Sequence, residues 1–442
     1  MRKKPNVILF LADDLGYGDV GCHGNPVVQT PNLDSFAQDS VEWDRFYVTP
    51  VCAPTRASMM TGRYNFRTGV TDVFGRGCEM ATDETTLAEI LRDASYATGL
   101  FGKWHLGGQP QQSPTQRGFD ETLTFRGCAM RADQYFNPTV LHNDVPETRE
   151  GYCLDIFTDA AIDFMKTHRD DPFFIFLPSN LIHTPLVAPD DIVAQYDNLG
   201  LIESTQKTYA MVQNLDENFG RLRQALNELG LEEDTLLIAT SDNGPCADSN
   251  PVERHMAGLH GLKGTVYENG IRVPCFMRWP NGFSSSGIRK PIAAHVDLLP
   301  TIVEACGASL PSETTLDGIN LLPMLNEPEM AAPDRNLFFQ WDSAHRPRRG
   351  HAYCVLNQRW KLVQPYGMDA DAQQHIRDRY AELCRLQNRG ERSVDGPARL
   401  ELYDLQSDPG EHTDLSAEHP HIVEEMRTAY DTWFSEVTDR FQ

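Results

Sequence analysis

The sequence predicts an α/β protein, with a large mixed, mostly parallel sheet sandwiched by helices and a smaller α+β C-terminal domain containing a short antiparallel sheet. Three observations carry this reading. Short apolar segments without polar alternation read as strands covered on both faces. Helical periodicities separate them, as in stacked strand and helix layers. The pattern then changes after about residue 335.

Val7-Ile8-Leu9-Phe10-Leu11-Ala12 is the first strand, and Ala97 to Phe101 is a weaker second. Phe173 to Leu177, Thr235 to Ala239 and Val273 to Met277 follow. Met211, Leu215, Phe219, Leu222, Leu226 and Leu229 recur at helical spacing, and Gly230 stops the run. A second helix passes through Val296, Leu299, Ile302 and Val303 and ends at Gly307. Beyond the shift, His351 to Val363 reads as two strands around Asn357-Gln358-Arg359. A polar looped or helical insert comes next, then a strand from Leu400 to Leu405, a turn from Ser407 to Gly410, and a last helix through Ile422, Met426, Tyr430 and Phe434. The expected division is therefore 1–335 and 336–442.

A chain of 442 residues can bury a large core, and 40% apolar with 23% charged residues is a globular composition. No apolar run approaches the roughly 18 residues that cross a bilayer, so no membrane span is expected. Val7 to Ala12 is too short for a signal-peptide core and runs into Asp13-Asp14 rather than a cleavage site. As given, the chain points to the cytoplasm, or to the periplasm or exterior if a leader was removed. A net charge of -24 argues against a nucleic-acid partner. It also means that any anionic substrate must meet positive charge built locally from a metal, arginines and lysines. The ten cysteines include no Cys-x-x-Cys pair, which disfavours a zinc ribbon or thioredoxin-like site.

Each clear strand ends in residues suited to chemistry. The first runs into Asp13-Asp14, the second into Lys103-Trp104-His105, the third into Asn180 and His183, and the fourth into Asp242-Asn243. Ligands of open α/β sheets bind beyond the carboxyl ends of the strands, so these ends are candidates to share one crevice. Asp13, Asp14, Asp242 and Asn243 offer the hard oxygens that calcium or magnesium prefers. The plainer reading makes Asp13-Asp14 a helix cap and Asp242-Asn243-Gly244 a turn. Arg56, Lys103, His105, His183 and Lys263 are candidates to hold an anion and move protons. Lys103 and His105, two apart on an extended segment, are expected to point the same way.

The segment Cys52-Ala53-Pro54-Thr55-Arg56 resembles the signature of the formylglycine-dependent sulfatases of the alkaline phosphatase superfamily, Cys (or Ser)-x-Pro-x-Arg. The resemblance extends over Pro5-Asn6-Val7 to Gly16, Thr61-Gly62-Arg63-Tyr64, Gly102 to Gly107 and Arg117-Gly118-Phe119-Asp120. It continues through His183-Thr184-Pro185, Ser241 to Gly244, Gly261 to Lys263, Arg272-Val273-Pro274, Tyr403-Asp404-Leu405 and Asp408-Pro409, in the family's order. Thr55 stands where the family usually has Ser, and Asn269-Gly270 where it often has two glycines.

What this resemblance implies is an arylsulfatase-like enzyme on an alkaline-phosphatase-like fold, hydrolysing a sulfate monoester, with a sulfated saccharide as the expected substrate. A formylglycine-generating enzyme would convert Cys52 to formylglycine. Asp13, Asp14, Asp242 and Asn243, with residue 52, would bind one calcium, magnesium being the lesser choice. One hydroxyl of the aldehyde hydrate attacks sulfur and the other later expels sulfate, splitting one hard step into two. Arg56 would orient the hydrate, Lys103 and Lys263 hold the sulfate oxygens, His183 with Lys263 act as acid, and His105 act as base. The alternatives are a phosphonate monoester or phosphodiester hydrolase of the same superfamily, or an inactive glycan-binding protein. His345, Arg346, Arg348 and Arg349 form a cationic island expected to meet a sulfated sugar, or else a solvated loop. Oligomeric state is not legible in these motifs.

Overall fold

The structure, a computed structural model, describes residues 4–125, 127, 131–246, 254–283, 286–312, 314–341, 344–365 and 399–442. The polar insert expected after the Asn357 hairpin falls on 366–398, outside these residues. Among the described residues no helix is long and apolar enough to cross a membrane.

Among the described residues ten strands form the main sheet. Its centre is parallel: Thr235–Ser241, Asn6–Ala12, Phe173–Pro178, Ala97–Gly102 and Glu121–Thr124 lie side by side in that order. Cys275–Arg278 on one side, and Thr139–His142 with Val145–Thr148 on the other, add antiparallel strands. The sheet is thus mixed and mostly parallel, as expected. The first strand shows why it must be covered twice. Ile8, Phe10 and Ala12 enter one apolar layer with Phe219 and Leu215 of the helix Glu203–Glu228. Val7, Leu9 and Leu11 enter the other, with Met59, Leu87, Leu299 and Ile302. Successive side chains of a strand point to opposite faces, so an unbroken apolar run needs helices on both.

Val273 to Met277 is a correction. It is not one strand: Arg272–Val273 pairs with Phe46–Tyr47 in a small three-stranded sheet, and Cys275–Arg278 joins the main sheet. Pro274 divides them, lacking an N–H for a ladder while its carbonyl accepts the Thr240 hydroxyl at 2.8 Å.

A second sheet begins at Leu337. Leu337–Gln340, Tyr353–Leu356, Trp360–Gln364 and Glu401–Asp404 pair antiparallel, and the helix Pro420–Val437 lays Tyr430, Trp433 and Phe434 on the layer they form. Buried charge joins this sheet to the larger unit. Lys361 Nζ lies 3.0 Å from Glu268 Oε1 and 2.9 Å from Glu411 Oε1, all without solvent contact. Burial, and the charge of Glu268, push the Glu411 carboxyl up to about 7 against the pull of Lys361. Because the native state holds this proton more tightly than the unfolded chain, its contribution to stability is full below the ordinary carboxylate range. It is lost as pH rises through about 7. Thermal melts of wild type and Glu411→Gln between about pH 5 and about pH 8 are expected to show wild type losing ground to the variant as pH rises. A constant difference between them would contradict the assignment.

Candidate active site

The four chemistry-bearing strand ends are neighbours in the sheet, so the residues that follow them converge. Asp13 N–H donates to the Leu181 carbonyl at 2.8 Å, tying the first and third strand ends together. Asp14 takes a left-handed conformation, φ 67°. Its N–H donates to Asp242 Oδ1 at 3.2 Å, and the next N–H, of Leu15, donates to Ser241 Oγ at 3.1 Å. Behind this turn the buried Arg254 donates to the Asp14 carbonyl and to Asp19 Oδ1, each at 3.1 Å, and Asp19 Oδ2 accepts the Gly16 N–H at 2.6 Å. The motifs did not single out Asp19 or Arg254. Asp19 had a faint signal in its closeness to Gly16, but Arg254 had none.

Cys52 is the first residue of the buried helix Cys52–Thr61, where unpaired N–H groups favour negative charge. Arg56 follows one turn later on the same face. Its Nε and Nη2 donate to Asp242 Oδ2 at 2.9 and 2.7 Å, and its Nη1 donates to the Lys103 carbonyl. Thr55, the family departure, spends its hydroxyl on Thr49 Oγ1 and the Thr49 carbonyl. Asn269, the other departure, donates to the Gly261 carbonyl at 3.1 Å and so braces the lysine loop.

Lys103 Nζ lies 2.6 Å from Asp13 Oδ2 and 4.0 Å from Cys52 Sγ. His105 Nδ1 lies 3.3 Å from Cys52 Sγ, and Nε2 lies 2.9 Å from the Val73 carbonyl. Both side chains reach Cys52, but not by strand alternation: the strand ends at Gly102, and His105 is left-handed, φ 64°. A carbonyl only accepts, so His105 carries a proton on Nε2, and Nδ1 is the nitrogen that faces position 52. The same reasoning fixes His183, whose Nδ1 lies 2.5 Å from the Thr184 carbonyl, leaving Nε2 for the site. Lys263 Nζ lies 2.6 Å from Asp14 Oδ1.

The donor set fits a hard divalent cation. Asp13 Oδ1, Asp14 Oδ2 and Asn243 Oδ1 are buried oxygens with no hydrogen-bond partner among the described residues, while Asn243 Nδ2 is fixed on Asp14 Oδ1 at 2.7 Å. Ligand atoms of Asp13, Cys52 and Asp242 lie within 4.8 Å of one another, and so do those of Asp13, Asp14 and His183. Burial and the neighbouring Asp13 charge push the Asp242 carboxyl up to about 8, against Arg56. Burial would also raise Asp13, but Lys103, Arg56 and Lys263 hold it far below the carboxylate range. Such opposed carboxyls want a cation between them. Burial alone would raise the Cys52 thiol as well, yet Lys103, His105 and Lys263 bring it down to about 6, so position 52 is built to carry negative charge. Burial, with Lys263 and Lys103, lowers His183 to about 4.

Asp13, Asp14, Cys52, Arg56, Lys103, His105, His183, Asp242, Asn243 and Lys263 therefore come together. The cationic island divides. His345 Cε1 stands 3.6 Å from where a Cβ on Gly75 would sit, beside the loop that holds His105. Arg346 is exposed, and the Arg348 carbonyl accepts from Gln340 Nε2 at 2.6 Å. Arg349 donates to Asp431 Oδ1 and Ser435 Oγ, each at 2.8 Å, and covers the Phe434 ring, so it clamps the last helix.

The family model described as Sulfatase matches residues 5–308. The chain belongs to the sulfatase family. This sulfatase also matches the model described as N-sulphoglucosamine sulphohydrolase, C-terminal, over residues 258–388. It is 31% identical to human arylsulfatase A, over 94% of this chain and 84% of that one. It is 31% identical to mouse N-acetylgalactosamine-6-sulfatase, over 76% and 68%. The sulfatase is thus a sulfuric ester hydrolase. Among solved structures, Ps i-CgsB in complex with k-i-k-neocarrahexaose superposes with a TM-score of 0.82, at 27% identity over 98% of this chain and 93% of that one. BT4656 in complex with D-glucosamine-2-N,6-O-disulfate shares the fold, with a TM-score of 0.78 at 20% identity over 99% of both chains.

Proposed function

We propose that this sulfatase hydrolyses a sulfate monoester on a saccharide, with residue 52 in its formylglycine form as nucleophile and one calcium ion in the acidic cluster. The observation that carries the reading is the place of Cys52 Sγ, in contact with His105 Nδ1 and within the same 4.8 Å cluster as oxygens of Asp13 and Asp242. Asp13, Asp14, Asp242 and Asn243 would hold the ion, which when bound supplies positive charge to the sulfate oxygens and lowers the pKa of the attacking hydroxyl. As an aldehyde hydrate, residue 52 offers one hydroxyl to attack sulfur and a second whose deprotonation releases sulfate and restores the carbonyl.

The remaining work falls to side chains. The carboxylates of Asp13, Asp14 and Asp242 are matched one for one by Lys103, Lys263 and Arg56. The divalent charge is then the surplus that receives an anionic ester. Lys103 and Lys263, beside position 52, hold the sulfate oxygens. Arg56 draws the Asp242 carboxyl down from where burial puts it and aims it, and once ionised beside a bound cation Asp242 can accept the attacking hydroxyl's proton. His183 is neutral in the resting site because of burial and two lysines. An incoming sulfate offsets both lysines, raises its proton affinity, and lets Nε2 carry a proton to the departing alkoxide. His105 Nδ1, which faces position 52, is the base that takes the hydroxyl proton when sulfate is expelled. The paired lysines and exposed His345 and Arg346 suit a substrate with further negative or hydroxylated groups.

The test is sulfate release from defined saccharides, including N-acetylgalactosamine 6-sulfate and carrageenan oligosaccharides, beside an aryl phosphonate monoester. The expected kcat/KM on one of the sulfated sugars exceeds that on the phosphonate by roughly 100-fold or more. The reverse ranking would favour the phosphonate hydrolase, and saccharide binding without turnover would favour the inactive glycan binder.

A further inference from the structure

We infer that Phe74 and Trp341 form an aromatic rim on which a pyranose ring of the substrate stacks while its sulfate occupies the site. The inference rests on the saccharide reading above and extends it to the residues that select the sugar.

Phe74 is 65% exposed, although its backbone is fixed. The Gly77 carbonyl accepts the N–H groups of Thr71 and Asp72 at 2.8 and 3.0 Å, and the Phe74 carbonyl accepts the Gly77 N–H at 3.1 Å. A rigid loop thus holds a large apolar ring in water, which costs solvation unless something covers it. Its neighbour Val73 accepts from His105, which touches Cys52, so the loop is one imidazole away from the nucleophile.

Trp341 reaches the same rim from the C-terminal sheet. Its Nε1 donates to Asp72 Oδ1 at 3.1 Å. Its six-membered ring passes so close to Gly264 that a Cβ there would lie 2.9 Å from the ring. Gly264 follows Lys263, and its N–H is tied to the Pro50 carbonyl at 2.8 Å, two residues before Cys52. The half-buried indole therefore spans from the lysine loop to the Phe74 loop along one wall of the site. Aromatic faces are electron-rich and attract the C–H faces of a sugar, and an indole N–H already satisfied by Asp72 costs nothing on covering. His345, against Gly75, adds a polar group where the ring's hydroxyls would emerge.

The experiment compares wild type, Phe74→Ala, Phe74→Trp and Trp341→Ala on the sulfated saccharide that wild type turns over fastest, with inorganic sulfate as a competitive inhibitor. Each alanine variant is expected to raise KM roughly 5- to 10-fold with kcat and sulfate inhibition little changed. Phe74→Trp is expected to keep the wild-type KM. A KM unmoved in both alanine variants, or a loss confined to kcat, overturns the inference and leaves the saccharide reading intact. A wild type that hydrolyses no sulfated saccharide overturns both.

Discussion

Cys52→Ala is expected to lower sulfate ester turnover roughly 10⁴-fold or more while leaving the fold in place. The loss is large because no other side chain stands where Cys52 does. His105 Nδ1 and Lys103 Nζ both face its Sγ, and the Cys52–Thr61 helix presents its N-terminus there. The fold should persist because both groups that face Sγ have other partners. Lys103 keeps its partner Asp13, His105 keeps the Val73 carbonyl, and alanine suits a helix at least as well as cysteine. Sulfate release and a thermal melt on one preparation check both halves. Turnover that survives with an unchanged melt would place the nucleophile elsewhere. Peptide mass analysis of wild type distinguishes thiol from aldehyde at position 52, so a low wild-type rate can be traced to incomplete conversion.

The chemistry was legible in the sequence where it sat at the ends of long apolar runs. Asp13-Asp14, Lys103, His183 and Asp242 each follow a segment whose composition announces a strand, and parallel neighbours must bring such ends to one edge. Short strands were not legible: Val41–Trp43 and Phe46–Tyr47 are too brief for periodicity, and Pro274 splits what reads as one apolar run. Nor were supports built across large separations. Arg254 meets Asp19 from 235 positions away, and Lys361 meets Glu268 from 93, distances at which no local pattern speaks. The role of Arg349 on the last helix was not legible for a related reason. A cluster of like charges in sequence does not say which member finds a carboxylate, and Asp431 claims this one.

Arg56→Met is expected to cost both stability and turnover, which separates its role from that of Cys52. Its guanidinium has no solvent contact, gives two donors to Asp242 Oδ2, and stands 3.8 Å from Asp13 Oδ2. Removing one member of such a buried pair leaves an uncompensated charge, a loss of about 3–5 kcal/mol. Asp242 is already pushed up to about 8 with Arg56 present, so without Arg56 the carboxyl goes higher still and holds its proton more tightly against a cation. A protonated Asp242 neither binds a cation nor accepts the nucleophile's proton, and kcat should fall by roughly 10²–10³-fold. Arg56→Lys restores the charge with a single donor head and should recover part of the melt but little of the rate, since one ammonium cannot serve both Asp242 and the Lys103 carbonyl. Calcium added to a chelated preparation is expected to raise the melting temperature of wild type more than that of Arg56→Met, because the methionine variant must release a more tightly held Asp242 proton. Equal calcium responses in the two proteins would mean that Asp242 is set by something other than Arg56.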